Sequence, residues 1–209
     1  MIDLGLVAIA SPPFVDAASV MGACRAAEGG GATAVQVRFK NCPASVLLDV
    51  TERLVAALSI PVYVNDRADV ALAASATGVH IGTEDIPPAL VRGFAANPFR
   101  LGVSVGTTDE AGAALEVDVD YWSIGSIYAT ASKSDAGAPI GIAGFKELAR
   151  LAPAGMPVIA IGGIDASNAR PVLEAGAHGV AVIRAVFGAT DVERSTRKLR
   201  DIVDEVRRG

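Results

Sequence analysis

Residues 61–87 read PVYVNDRADVALAASATGVHIGTEDIP, and the order of residue types in them decides the architecture. Residues 61–64 form a short β-branched run that stops abruptly at Asn65, Asp66 and Arg67. An alanine-rich stretch of helical character follows over 68–76, and a second short run, 78–81, stops at Gly82, Thr83, Glu84 and Asp85. The pattern is strand, polar tip, helix, strand, polar tip. A right-handed crossover through that helix makes the two strands parallel neighbours, about 4.8 Å apart. Asp66 and Asp85 then stand at the same end of the sheet, nearly side by side. Two carboxylates that close resist ionising together unless positive charge lies between them. A divalent cation answers that repulsion, and two hard oxygen ligands suit a Mg²⁺ that keeps several waters and shares a phosphate-bearing substrate. For either Asp alone, a helix cap or a solvated side chain is the simpler reading. For both together, at matching strand tips, the metal reading is favoured.

The same unit recurs on both sides of this stretch. Upstream, residues 4–10 read as the first strand, and Asp16 as the cap of a helix that runs through Cys24 to the stop signal Gly29-Gly30-Gly31. TAVQVR, residues 33–38, alternates: Ala34, Gln36 and Arg38 share one face, Val35 and Val37 the other. In a closed barrel one face looks inward, which puts Gln36, Arg38 and then Lys40 inside and at the mouth. A buried Arg without a partner is expensive, and an anionic ligand or a structural salt bridge would offset that cost. Pro43 opens a helix to about residue 58.

Downstream, a helix over 87–96 leads to a fifth strand, RLGVS, with Ser104 near its tip. Thr108 reads as the cap of the next helix, and VDYWSIGSI, 119–127, as the sixth strand. The polar loop after it, residues 128–139, carries Thr130, Ser132 and Lys133, groups suited to a phosphate. A structureless loop of that length in a compact domain is often functional. A seventh strand, 157–161, runs into Gly162-Gly163, and an eighth covers 178–183. Glycine after a strand lets backbone N–H groups approach an anion, and a phosphate site after strands seven and eight recurs in barrels of this kind. The last helix, 190–208, carries its apolar residues on one stripe.

Eight strands, each followed by a helix at about 25 residues per unit, predict an α/β fold: a single (β/α)₈ TIM barrel spanning 1–209 as one domain. A doubly wound open sheet would leave a GxGxxG fingerprint after the first strand, and none is present. No run of about 18 apolar residues reads as a membrane span. The net charge of −5, without a basic patch carrying interleaved aromatics, argues against nucleic acid as a partner. Cys24 and Cys42 lack metal-ligand or disulfide spacing, as suits a cytoplasmic protein. His80, near the mouth, reads as an orienting or packing residue and His178 as structural; Tyr121 and Trp122 read as barrel packing.

Set in order, the strand tips resemble the thiamine phosphate synthase and thiazole tautomerase superfamily. The resemblance spans about residues 4–190. It is carried by VQVRFK, VNDRADVALA, GVHIGTEDIP, LGVS, DYWSIGSIYATASK and AIGGI, and the NDRAD and HIGTED pair is its most specific part. It implies that Asp66 and Asp85 hold Mg²⁺ and that Gln36 belongs to the substrate site. It also implies that Arg38, Lys40, Asn65, Ser104 and Lys133 face the diphosphate of an aminopyrimidine methyl diphosphate. Thr130 and Ser132 would contact a thiazole phosphate, whose phosphate backbone groups at Gly163, Ile183 and Arg184 would cradle. The implied reaction expels pyrophosphate from the pyrimidine methyl carbon, and the thiazole nitrogen captures the resulting cation.

Departures from the synthase pattern fall at Phe39 (an acidic residue in the family), Thr83 (Gln), Gly106 (His), Ser126 (in a Pro-rich tip) and Arg184 (Ser). A thiazole tautomerase and a non-catalytic binder of phosphorylated metabolites are the alternatives, and the metal pair favours the synthase. The partners implied are the two small phosphorylated substrates, and a homo-oligomer stays open.

Overall fold

The computed structural model describes residues 3–12, 17–130 and 138–209. Asp16, Ser132 and Lys133, singled out in the sequence, lie outside them. Eight parallel strands close into a barrel in sequence order: β1 (Leu6–Ala10), β2 (Ala34–Val37), β3 (Val62–Asn65), β4 (Gly78–Ile81), β5 (Arg100–Val105), β6 (Tyr121–Ile124), β7 (Val158–Ile161) and β8 (Gly179–Val182). Closure is by β1 against β8, with Leu6 opposite Val180. The expected (β/α)₈ TIM barrel is the observed fold.

The strands are four to six residues long and almost wholly buried, because one face meets helices and the other fills the barrel. Outward, Val35, Val37, Val64, Val79, Leu101, Trp122 and Val180 pack beneath α1 (Ala17–Gly29), α2 (Ala44–Ala57), α3 (Ala68–Ala73), α4 (Pro88–Phe94), α5 (Thr108–Leu115), α6 (Gly141–Ala149) and α7 (Ala169–Glu174). Inward, Leu4, Val7, Ile9, Ala34, Tyr63, Tyr121, Ile159 and Ala181 form a second cluster that plugs the lower barrel. The interior turns polar toward the strand C-termini, where Gln36, His80 and Ser123 are buried. That gradient fixes which end can bind polar ligands.

Three boundaries differ from the sequence reading. The sixth strand stops at Ile124, because the chain turns at Gly125 although no charged residue or proline interrupts the sequence from there to Ile127. The cap of α5 is Thr107, whose hydroxyl accepts from Glu110 N at 3.2 Å, and not Thr108. A one-turn helix, α8 (Arg184–Phe187), intervenes before the long α9 (Val192–Arg208), and four residues are too few to show a helical period. Asp191 caps α9 by accepting from Arg194 N at 2.9 Å. Leu199 and Val203 of α9 are buried, and Arg207 of the same helix donates to Asp3 ahead of β1 and to the carbonyl of His178 ahead of β8. The last helix therefore braces the seam where the barrel closes. Among the described residues no helix is long and apolar enough to cross a membrane.

Candidate active site

The strand C-termini open into a cavity of about 1080 Å³. Its wall includes Arg38, Lys40, Asn65, Asp66, Asp85, Ser104, Thr130, Gly163, Ile183 and Arg184, ten of the residues picked from the sequence. Gln36 lies one layer below: its Nε2 donates to Asn65 Oδ1 at 2.8 Å, so it orients a wall residue from inside the barrel.

The crossover from β3 to β4 brings Asp66 and Asp85 together as the spacing predicts. Asn65 pairs with His80 in the parallel register, and Asp66 N donates to the His80 carbonyl at 2.8 Å. Asp66 turns into the mouth with φ of +65°, a conformation in which Asp and Asn are among the few tolerated side chains. Asp85 Oδ2 accepts from Gly82 N at 2.9 Å, which fixes its carboxylate against the β4 tip. Burial, and then the hydrogen bond and charge of the adjoining Asp85, push the Asp66 carboxyl up to about 6. Lys40 and Arg38 pull in the opposite direction and do not cancel the rise. Lys40 Nζ stands 3.7 Å from Asp66 Oδ2.

Two adjoining carboxyls, one of which is pushed up by the other, can take a cation in place of a proton. The described residues contain no group of three or more His, Cys, Asp or Glu placed to hold a metal. The donor set is thus a pair of hard oxygens, which fits Mg²⁺ with most of its shell left to water or ligand oxygens. Beside the pair, Arg38 is 7% exposed and, among the described residues, its Nε has no hydrogen-bond partner. A guanidinium N–H held dry without an acceptor carries a desolvation cost that an anion in the cavity would offset.

Across the mouth, Gly162 and Gly163 follow β7 with φ of +103° and +64°. A side chain at 163 would come within 2.7 Å of the Ala129 carbonyl and 2.8 Å of Tyr128 Cβ. Glycine is therefore required there both for its backbone angle and for space. Asn168 braces the turn by donating from Nδ2 to the Gly163 carbonyl at 2.9 Å, and its Oδ1 accepts from Asp165 N at 2.8 Å. The carbonyl side of this loop is thus already engaged. Arg184 is exposed at the start of α8 on the same side of the mouth.

The sequence reading missed Asn168, Ser123 and Glu110. Glu110 reaches back to accept from Gly106 N at 2.5 Å and lines the cavity with Ser123. The only sequence signal for Glu110 is its place three residues past the Thr107 cap, which reads as helix capping and gives no hint of the cavity.

The mouth thus presents a carboxyl pair and cationic side chains on the β2–β4 side and a glycine turn on the β7–β8 side. Comparison with known proteins finds the same arrangement of sequence along nearly the whole barrel. The family profile described as thiamine monophosphate synthase matches residues 6–186. The thiamine-phosphate synthase of Moorella thermoacetica is 47% identical over 186 residues, covering 88% of each chain. That of Pyrococcus furiosus is 42% identical over 185 residues, covering 87% of each. The solved structure of the thiamine phosphate pyrophosphorylase from Pyrococcus furiosus superposes with a TM-score of 0.86 at 36% identity, covering 98% of both chains. With fold and overall sequence agreeing over the same span, the chain belongs to the thiamine monophosphate synthase family.

Proposed function

We infer that this protein is a thiamine phosphate synthase, a transferase that joins an aminopyrimidine methyl diphosphate to a thiazole phosphate and releases pyrophosphate. Family membership supports the reaction class. The observation that carries the reading to this chain's own residues is the Asp66–Asp85 carboxyl pair beside the unsatisfied Arg38 Nε in one cavity. A site that carries both cation-binding and anion-binding groups suits a diphosphate delivered with its metal.

Asp66 and Asp85 would hold Mg²⁺, which when bound neutralises charge on the departing diphosphate. Arg38, Lys40, Asn65 and Ser104 line the same side of the cavity and bind the diphosphate oxygens. Lys133, outside the described residues, joins them by its place in the sequence motif, and Ser132 with Thr130 goes to the thiazole partner in the same way. Gln36 holds the Asn65 amide so that the Asn65 Nδ2 donors face the ligand. The thiazole phosphate lies on the opposite side, at Gly163 and at Ile183 with Arg184, where a planar guanidinium offers two parallel donors. The two anionic groups then sit at opposite walls, with the pyrimidine methyl carbon and the thiazole nitrogen between them. One C–O bond breaks and one C–N bond forms. The protein takes no covalent part. It supplies orientation and preorganised charge.

The test is to incubate the protein with both substrates and Mg²⁺ and to look for thiamine phosphate and pyrophosphate in equal amounts. Absence of both products, with intact binding of each substrate, would shift the reading to a binder of phosphorylated metabolites.

A further inference from the structure

From the cavity wall into the barrel interior a chain of three hydrogen-bonding side chains crosses three strands. His80 of β4 is buried; its Nε2 lies 3.1 Å from Ser104 Oγ of β5, and its Nδ1 lies 3.1 Å from Tyr121 Oη of β6. The rings of His80 and Tyr121 stack at 5.6 Å with an angle of 24°, while Tyr63 meets Tyr121 edge-on at 5.7 Å. Tyr121 belongs to the strand beyond Ser104, so its ring must pass over β5 to reach β4. Gly102 makes that passage: it is the register partner of both His80 and Tyr121, and a Cβ there would collide with Tyr121 Cζ and Oη. Ser104 and His80 both line the cavity, and Tyr121 lies beneath them.

Hydrogen bonding fixes the direction of this chain. The Tyr121 hydroxyl is buried, and burial holds the phenol protonated, well above its ordinary value. Among the described residues its hydrogen-bond partner is His80 Nδ1. Were Nδ1 to carry a proton and donate, the phenolic hydrogen would be left without an acceptor in a dry interior, a loss comparable to a broken buried hydrogen bond. Tyr121 therefore donates to Nδ1, and the imidazole carries its hydrogen on Nε2. That hydrogen points at Ser104 Oγ, which accepts it. The serine's own hydrogen is thereby turned away from the histidine and into the cavity.

We propose that His80 and Tyr121 are positioning residues that lock the Ser104 hydroxyl as a hydrogen-bond donor toward an anionic group in the cavity, so that the floor of the barrel sets the polarity of its mouth. This rests on the synthase reading only in naming that group as the departing diphosphate. A serine free to rotate could equally present its lone pairs, which an anion repels. A serine already accepting from Nε2–H presents its proton.

The experiment has two arms, and neither needs turnover. The chain contains two histidines, so ¹⁵N-histidine labelling gives two ring systems, which a His178→Gln variant assigns. His80 should show a bare, pyridine-type Nδ1 and a protonated Nε2; the reverse tautomer overturns the proposal.

In the second arm, calorimetry measures inorganic pyrophosphate with Mg²⁺ against wild type, Tyr121→Phe, Ser104→Ala and the double variant. Tyr121→Phe should weaken pyrophosphate about fivefold, the loss of one ordinary hydrogen bond's worth of bias, and should have no further effect once Ser104 is Ala. An equal loss in both backgrounds would show that Tyr121 only shapes the barrel, and would overturn the proposal. If wild type makes no thiamine phosphate yet both arms succeed, the synthase reading falls and the locked serine stands.

Discussion

At the scale of single residues, the site is arranged against the stability of the empty protein. Asp66 is held at about 6, against an ordinary 3.8, by burial and by Asp85. Its folded-state value lies above its unfolded one, so the folded chain holds the extra proton. Stability contributed by that proton is present below about pH 4 and is lost as pH rises to about 6. Asp66→Asn keeps the shape and tolerates the left-handed backbone. In chelator at pH 7.5 it should stabilise the protein by about 2 kcal/mol, after discounting for partial exposure, and should flatten the stability profile between pH 4 and 6. Activity with Mg²⁺ should fall steeply. Urea melts at the two pH values check this, and a variant less stable than wild type at pH 7.5 would contradict it. Arg38→Met makes the complementary case. It replaces a buried group with an unsatisfied Nε by an apolar side chain of similar length, so ligand-free stability should hold or rise. Pyrophosphate affinity should drop at least about tenfold, since hydrogen bonds to charged groups contribute about 1.5–3 kcal/mol. Calorimetry beside the urea melt reads both signs.

The same residues show where a sequence can and cannot be read. The adjacency of Asp66 and Asp85 was legible because parallel strands joined by a short helix leave little choice of geometry. The +65° backbone at Asp66 was not, since Asn-Asp-Arg at a strand end is compatible with several turns. Burial of Arg38 followed from its alternation with Val35 and Val37, whereas the lack of an acceptor for its Nε depends on every neighbouring strand at once. His80 was read as orienting or packing, but Ser104 and Tyr121, to which its ring nitrogens are joined, lie 24 and 41 residues away and only the barrel brings them to it.

Among the elements, the strands carried their own evidence and the small connecting pieces did not. Most strands are short apolar runs ended by polar or glycine tips, and eight such runs at even spacing allow few other folds. The helix α8 has only four residues, and β6 stops where no charged residue or proline marks an end, so neither boundary leaves a clear trace in the pattern. The turn after β7 is the element whose backbone matters most to the site. Gly163→Ala would force a Cβ against the Ala129 carbonyl at a φ of +64°, with a strain of about 1–3 kcal/mol. On the proposed placement of the two anions at opposite walls, it should weaken thiazole phosphate binding while leaving pyrophosphate affinity within about twofold. Equal weakening of both ligands in calorimetry would mean that the walls are not independent sites.

For the molecule as a whole, the barrel depends on a helix that the family match does not include. That match ends at residue 186, yet α9 braces the β1–β8 closure with Leu199 and Val203. Leu199 is 1% exposed. Leu199→Ala should cost about 2–5 kcal/mol and lower the melting temperature by several degrees for a chain of this size, while the affinity for pyrophosphate in the surviving folded fraction stays unchanged. Thermal melts and calorimetry on the same preparation separate the two. The unsatisfied Arg38 and the Asp66 carboxylate held beside Asp85 have a further consequence on this scale. A mouth that destabilises the fold when empty and is relieved when filled makes folding and substrate supply one equilibrium. In a cell, proteases act on whatever fraction is unfolded. The standing amount of this protein should therefore rise and fall with the supply of its diphosphate substrate, a form of quantity control that needs no regulator and no second binding site.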